Sequence, residues 1–307
     1  MSAELDAIKQ PGQLATEQIN PATVEIDRMS ALEIARVMNA EDARVALAVE
    51  QELPNIARAI EAIAARMRRG GRLIYMGAGT SGRLGVLDAS ECPPTFNVSP
   101  DLVIGKLAGG QEAVAHASEE VEDSVESGQA DAAELGISEQ DSIVGIAASG
   151  RTPYVLGAIA YANERGALTI GIACNKATPL EQQASIMIAP VTGPEAITGS
   201  TRLKAGTAQK MVINILSTGT MVLLGKTFGN LMVDVQVTNY KLRQRAIKIV
   251  QNATGLAKDE AEQLLQQAGD ETKTAILMGL TQTTPEDARK QLAEHNGVLR
   301  ATLEAMQ

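Results

Sequence analysis

The sequence predicts an α/β fold: a doubly wound parallel sheet of five strands flanked by helices, followed by a small helical module. Three observations predict it. Five short apolar runs occur at Leu73–Met76, Leu102–Ile104, Ile143–Ala147, Leu168–Ala173 and Ile186–Ala189. Runs this short and continuous read as strands buried on both faces of a parallel sheet. Stretches of helical character, such as 112–128 and 153–165, lie between them. Two of the runs lead into turns rich in glycine and hydroxyl residues, where an open parallel sheet binds its ligand.

The elements follow in order. Residues 1–28 are polar and predict an extended arm. Residues 30–68 predict two helices. Ser30 caps the first, with Glu33 three residues later as in a capping box. Leu47, Val49, Leu53, Ile56, Ile60 and Ile63 recur at roughly helical spacing. After the last strand, the helical stretch from about Arg202 to Leu224 is rich in Gly, Ala, Ser and Thr, which suits close packing, for instance against a second subunit. Beyond about residue 248 three short helices are expected, Ala257–Ala268, Thr272–Thr281 and Pro285–Glu294, with Asp259 or Thr284 as caps. The expected organisation is one domain over 1–248, including its N-terminal helical arm, and a three-helix module over 249–307.

Composition narrows the function. The chain has 307 residues, enough for such a domain plus a module, and 45% of them are hydrophobic, so a full core can form. Aromatic residues are 2%, with no Trp, so aliphatic side chains must fill that core. A net charge of −10 argues against non-specific binding to a nucleic-acid backbone. Cys92 and Cys174 make neither a disulfide framework nor a zinc site. His116 and His295 lie far apart, so neither a His-based metal site nor a His-centred triad is expected. Met1 to Glu17 is polar and mixed in charge with no apolar core, so no signal peptide is expected there. The longest apolar stretch, Met211 to Gly225, is interrupted by Asn214, Ser217 and Thr218 and is too short and polar to span a bilayer. A cytoplasmic protein without membrane or nucleic-acid partners is the expectation.

The sharpest motif is Gly77-Ala-Gly-Thr-Ser-Gly-Arg83, directly after the first strand and opening a helix. It satisfies the dinucleotide pattern G-x-G-x-x-G. A dinucleotide site also wants a carboxylate after the second strand, and Gly105-Lys106 stands there instead. Thr80 and Ser81 place two hydroxyls at a helix N-terminus, where backbone N–H groups and the helix dipole suit a compact phosphomonoester. A tight turn without a ligand is the plainer alternative. Ala148-Ser-Gly-Arg-Thr-Pro-Tyr154 repeats the design after the third strand: Ser149, Gly150 and Thr152 precede a helix with Pro153 in its first turn. Thr198-Gly-Ser-Thr-Arg-Leu-Lys204 offers further hydroxyls, or ordinary capping.

These loops resemble the sugar isomerase (SIS) domain, a phosphosugar-binding α/β fold. Four longer stretches, Gly77–Thr95, Ala147–Tyr154, Thr198–Lys210 and Gly229-Asn-Leu-Met-Val-Asp234, are similar to one branch of it, the N-acetylmuramic acid 6-phosphate etherases. The resemblance runs from about Thr16 to near the C-terminus. It implies a homodimer and a C-terminal helical domain similar to a ubiquitin-associated domain. It also implies that Ser81, Ser149 and Thr152 hold the phosphate. Ala147 departs from the many SIS domains that carry a serine there. The substrate-binding set expected from loops and resemblance together is Gly79, Thr80, Ser81, Ser149, Gly150, Arg151, Thr152, Glu195 and Ser200, with no metal and no cofactor.

The implied reaction removes D-lactate from C3 of the sugar and leaves N-acetylglucosamine 6-phosphate. If the sugar opens to its C1 aldehyde, a base can take the C2 proton, an acid can protonate the departing lactate oxygen, and water can add back. Two carboxylates in unequal surroundings can do this. Glu91 is one candidate, expected just past the helix and stiffened by Cys92-Pro-Pro94; an exposed loop carboxylate is the alternative. Spacing does not choose among Glu119, Glu120, Glu122 and Asp123 in the acidic run, whose ordinary reading is a solvated helix face. The resemblance assigns Glu91 the acid role and Glu122 the base role. Glu195, in Gly193-Pro-Glu195, is a third carboxylate able to contact sugar hydroxyls. Two rival activities use similar loops: a phosphosugar aldose–ketose isomerase, and a phosphosugar-sensing regulator, which would carry two such domains where this chain signals one.

Overall fold

The computed structural model describes residues 14–116 and 119–306, with only the backbone of Glu119 and Glu120. The described residues form two compact units. One comprises the chain up to Ser90 together with Asp101–Ser217; the other comprises Glu91–Pro100 and the chain from Thr218.

In the first unit, residues 14–28 are not an extended arm. Three short 3-10 turns, Ala15–Glu17, Pro21–Thr23 and Ile26–Arg28, fold them. Thr16 and Asn20 are buried there. Asn175 receives the Ala15 N–H on its side-chain oxygen at 2.8 Å, and its amide nitrogen donates to Thr16 Oγ1 and to the Ala148 carbonyl. Next come α1 (Ala31–Asp42), α2 (Val45–Glu50) and α3 (Leu53–Met67), three helices where periodicity predicts two. The expected capping box closes α1: Glu33 accepts from the Ser30 N–H at 2.8 Å and Ser30 Oγ accepts from the Glu33 N–H.

The sheet follows the predicted runs to within one residue except at the end of the second, which runs three residues further: β1 (Leu73–Gly77), β2 (Val103–Leu107), β3 (Ser142–Ile146), β4 (Leu168–Ile172) and β5 (Ile186–Ile188). All pairings are parallel, in the order β2-β1-β3-β4-β5. This is the doubly wound sheet that the sequence predicts. The order reverses between β1 and β3, so the carboxyl ends of those two strands flank the topological switch point. Helix α4 (Gly79–Phe96) leaves β1. The predicted helix over 112–128 is three pieces, α5 (Glu112–Ala115), α6 (Glu119–Glu122) and α7 (Val125–Glu134). Ser124 ends the second and caps the third, accepting from the Ser127 N–H at 3.0 Å. Then come α8 (Pro153–Glu164), α9 (Pro179–Gln183) and α10 (Lys204–Leu223), the last running past Ser217 into the second unit. Ile74, Met76, Ile143, Tyr154, Val155 and Ile159 belong to the core beneath the strand ends.

The second unit holds α11 (Tyr240–Thr254), α12 (Lys258–Gln267), α13 (Thr272–Thr281), α14 (Pro285–Glu294) and α15 (Leu299–Ala305). Helix α11 carries straight through residue 248. Asn239 caps it, accepting from the Leu242 N–H at 2.9 Å, and Gly255 stops it at φ +78°. Val233, Ile247, Val250, Leu265, Ile276 and Leu277 belong to this unit's own core.

Candidate active site

Two loops leave the sheet at its switch point. After β1 the backbone turns within one residue, Ala78, before α4 begins at Gly79, whose φ is +53°. Gly82 makes the turn possible: a Cβ there would lie 2.3 Å from the Gly77 carbonyl oxygen. After β3, Gly150 sits at φ +66° against Thr178, whose side chain a Cβ would meet at 2.5–2.7 Å. Ser149 Oγ accepts from the Arg151 N–H at 3.2 Å. Pro153 begins α8, and Thr152 at its N-cap makes no capping bond with its side chain.

The Thr152 hydroxyl turns elsewhere. It donates to Glu122 Oε1 at 3.4 Å, and a Cβ built on Gly79 would lie 3.9 Å from Glu122 Oε2. The structure therefore brings Gly79, Thr152 and Glu122 together, with one carboxylate beside both loops. Arg83 explains part of how it gets there. Its guanidinium donates to the carbonyls of Ala113, Val114 and His116 at 2.8–3.3 Å, tying the first turns of α4 to the segment that precedes the acidic run. The sequence signal for this is slight: an arginine one turn into the helix, without an acidic residue three or four positions away.

The other expected residues are placed as follows. Ser81 is buried and donates to Gln209 Oε1 at 2.9 Å. Thr80 is half-buried, its methyl 3.5 Å from where a Cβ on Gly206 would stand, so the first turn of α10 lies against the glycine loop. Arg151 is half-buried. Ser200 is half-buried in the turn before α10, its N–H donating to the Ile197 carbonyl. Glu195 is fully buried, and its two oxygens accept from the N–H groups of Lys204 and Ala205 at 2.9 Å each. It caps α10, and burial raises its pKa against the pull of those two bonds. Burial, with Glu195 nearby, also pushes the Cys174 thiol up, which makes it a poor nucleophile. Glu119 and Glu120 have no described side chains; Asp123 is exposed.

Glu91 differs from its expected setting. It is exposed, as a loop carboxylate would be, but lies inside α4, which runs on to Phe96 with Pro93 and Pro94 within it. The prolines sit in the helix's closing turns, where two missing N–H groups remove bonds only to Ala89 and Ser90.

Among the described residues no cluster of three or more His, Cys, Asp or Glu is arranged to hold a metal ion, and no helix is long and apolar enough to cross a membrane.

Family models match much of the chain. Residues 55–163 match the glucokinase regulatory protein N-terminal SIS domain, 115–218 the SIS domain, and 229–273 the C-terminal lid domain of glucokinase regulatory protein. A protein of Salmonella agona (strain SL483) named N-acetylmuramic acid 6-phosphate etherase is 54% identical over 293 residues, covering 95% of this chain and 99% of that one. A protein of Salmonella typhi with the same name has the same identity and coverage. Among solved structures, a phosphoheptose isomerase from Francisella tularensis aligns with a TM-score of 0.46 at 14% identity, over 63% of this chain and 100% of that one.

Proposed function

The chain belongs to the N-acetylmuramic acid 6-phosphate etherase family, and from that premise we propose how its residues carry out the reaction. It is an enzyme that opens the lactyl ether of that phosphosugar. The phosphate lies between the two loops, on backbone N–H groups and the hydroxyls of Ser81, Ser149 and Thr152, with Gly79, Thr80, Gly150 and Arg151 shaping the cradle. The observation that carries the reading is Glu122, a carboxylate 3.4 Å from the Thr152 hydroxyl and beside Gly79, where a sugar held by its phosphate would extend.

The sugar opens to its C1 aldehyde, which makes the C2 hydrogen acidic. Glu122 takes that proton. The electron pair forms the C2–C3 double bond, the C3–O bond breaks, and D-lactate leaves with a proton from Glu91. Water then adds to C3, C2 regains a proton, and N-acetylglucosamine 6-phosphate results. One carboxylate must start ionised and the other protonated. Glu195 supports the reading indirectly, by fixing the start of α10 against the glycine loop.

Glu91 follows Gly79 by twelve residues on one helix, about 18 Å of axis at the usual rise. The reading therefore takes the acid from a second copy of the chain in a homodimer. It places the enzyme in the cytoplasm, where a phosphorylated sugar would be met.

The test is to incubate the protein with N-acetylmuramic acid 6-phosphate in ¹⁸O-water. Release of D-lactate, with one heavy oxygen at C3 of the product, is the expected result. A ketose phosphate with no lactate would replace this reading with an isomerase.

A further inference from the structure

Gln209 is one polar side chain of the first unit left with an unmet demand. It lies on α10, five residues after Lys204, and is 1% exposed. Its Oε1 accepts the Ser81 hydroxyl proton at 2.9 Å, and its Nε2 is buried with no hydrogen-bond partner. A buried donor left unmade is costly, so its presence asks for a reason.

The reason follows from what Ser81 must do, and it rests on the reading that the two loops hold a phosphate. A serine hydroxyl has one proton. While that proton points at Gln209, Ser81 offers a phosphate dianion only lone pairs, which repel it. Half a turn of the Gln209 amide exchanges its two ends. Nε2 then donates to Ser81 Oγ, and the Ser81 proton is free to point at a phosphate oxygen. The bond this releases is the charge-assisted kind, shorter and stronger than the neutral one it replaces. We infer that Gln209 is a positioning residue for phosphate recognition: the end of its amide that faces Ser81 sets whether that hydroxyl repels or donates to the bound phosphate. Gln209 touches no substrate and acts only through Ser81.

The experiment compares Gln209→Glu with Gln209→Met, in the full-length enzyme with Ser81 intact and in the Ser81→Ala background. The readouts are KM and kcat for the phosphosugar and the inhibition constant of inorganic phosphate. Gln209→Glu keeps size and acceptor, and wherever its carboxyl is ionised it has no donor and holds the Ser81 proton inward. It should raise KM and the phosphate inhibition constant by roughly tenfold or more, with kcat within about threefold. Gln209→Met removes both ends and frees the hydroxyl to turn, so its effect should be smaller. A purely packing role predicts the same losses with and without the Ser81 hydroxyl. Lowering the pH should protonate the introduced carboxyl, restore a donor and bring the variant's phosphate constant back toward that of the unmodified enzyme at the same pH. In the Ser81→Ala background either substitution should change KM by no more than about twofold.

Methionine more harmful than glutamate, or losses that persist without the Ser81 hydroxyl, would overturn the inference. Should Gln209→Glu fail to fold, the cycle between Gln209→Met and Ser81→Ala still decides the matter by the same criterion. Ser81→Ala alone separates the two levels. If it leaves the phosphate constant unchanged, the loop assignment itself is wrong; if it weakens phosphate while the Gln209 variants do not, only this inference falls.

Discussion

At the scale of single residues, Glu91 and Glu122 are separable because the proposed proton transfers occur at different bonds. On the proposed roles, replacing Glu91 with glutamine removes the acid but leaves the base. That variant should release little lactate yet still exchange the substrate's C2 hydrogen with D₂O. Glu122→Gln should lose both, because no carbanion forms, and each loss should be about 10²–10⁴-fold. Proton NMR of the C2 signal decides it: exchange in Glu122→Gln but not in Glu91→Gln would reverse the roles. Asp88 allows a second prediction. Its Oδ2 accepts from the Tyr75 hydroxyl, and its Oδ1 from Asn214 and Ser217 on α10. Burial raises its pKa although these bonds lower it. The folded state therefore keeps this proton to higher pH than the unfolded chain does. Between the ordinary carboxylate range and the raised value, the folded protein binds more protons, so stability falls as pH rises through that window. Asp88→Asn should remove this contribution, and urea midpoints measured across weakly acidic pH should lose that part of their slope. An unchanged slope would show that Asp88 titrates normally.

At the scale of elements, the turn from β1 into α4 depends on Gly82 more than on any hydroxyl. A Cβ there would stand 2.3 Å from the Gly77 oxygen and 2.5 Å from a Leu107 methyl. Gly82→Ala should cost about 3 kcal/mol in urea unfolding; near-normal stability would mean that the turn yields easily. The five strands were legible because buried parallel strands leave continuous apolar runs between turn residues. Thr272–Thr281 and Pro285–Glu294 match their predicted bounds, the latter because Thr284 and Pro285 are an unambiguous start. What escaped the sequence has physical causes. Ser124 splits the stretch 112–128, although a hydroxyl inside an acidic helical run looks like one more surface residue. Two prolines suggest that α4 ends before them, but a helix can carry prolines where few N–H groups are lost. Both loops were visible from their glycines and hydroxyls. Their support was not: Arg83 acts through backbone carbonyls, and Gln209 meets Ser81 across 128 positions of chain. No local pattern encodes either contact.

At the scale of the whole molecule, the helix that carries the glycine loop bears on the proposed pairing of Glu91 with Glu122. Gly79 and Glu91 belong to one continuous helix, and about 18 Å of axis between them exceeds the reach of a glutamate toward a sugar held at the helix start. The proposed homodimer, in which each site takes Glu122 from one copy and Glu91 from the other, would resolve this. Complementation tests it directly. On that proposal, Glu91→Gln and Glu122→Gln should each inactivate every site of their own dimers. Dissociated, mixed in equal amounts and reassociated, they should form mixed dimers with one site that has lost both groups and one that retains both. Random pairing makes about half of the dimers mixed, so lactate release should return to about a quarter of the unmodified rate. It should return only after exchange of subunits and not on simple mixing. If each site were built within one chain, every site in every dimer would still lack one group. No activity would return, and the two glutamates would need a different account.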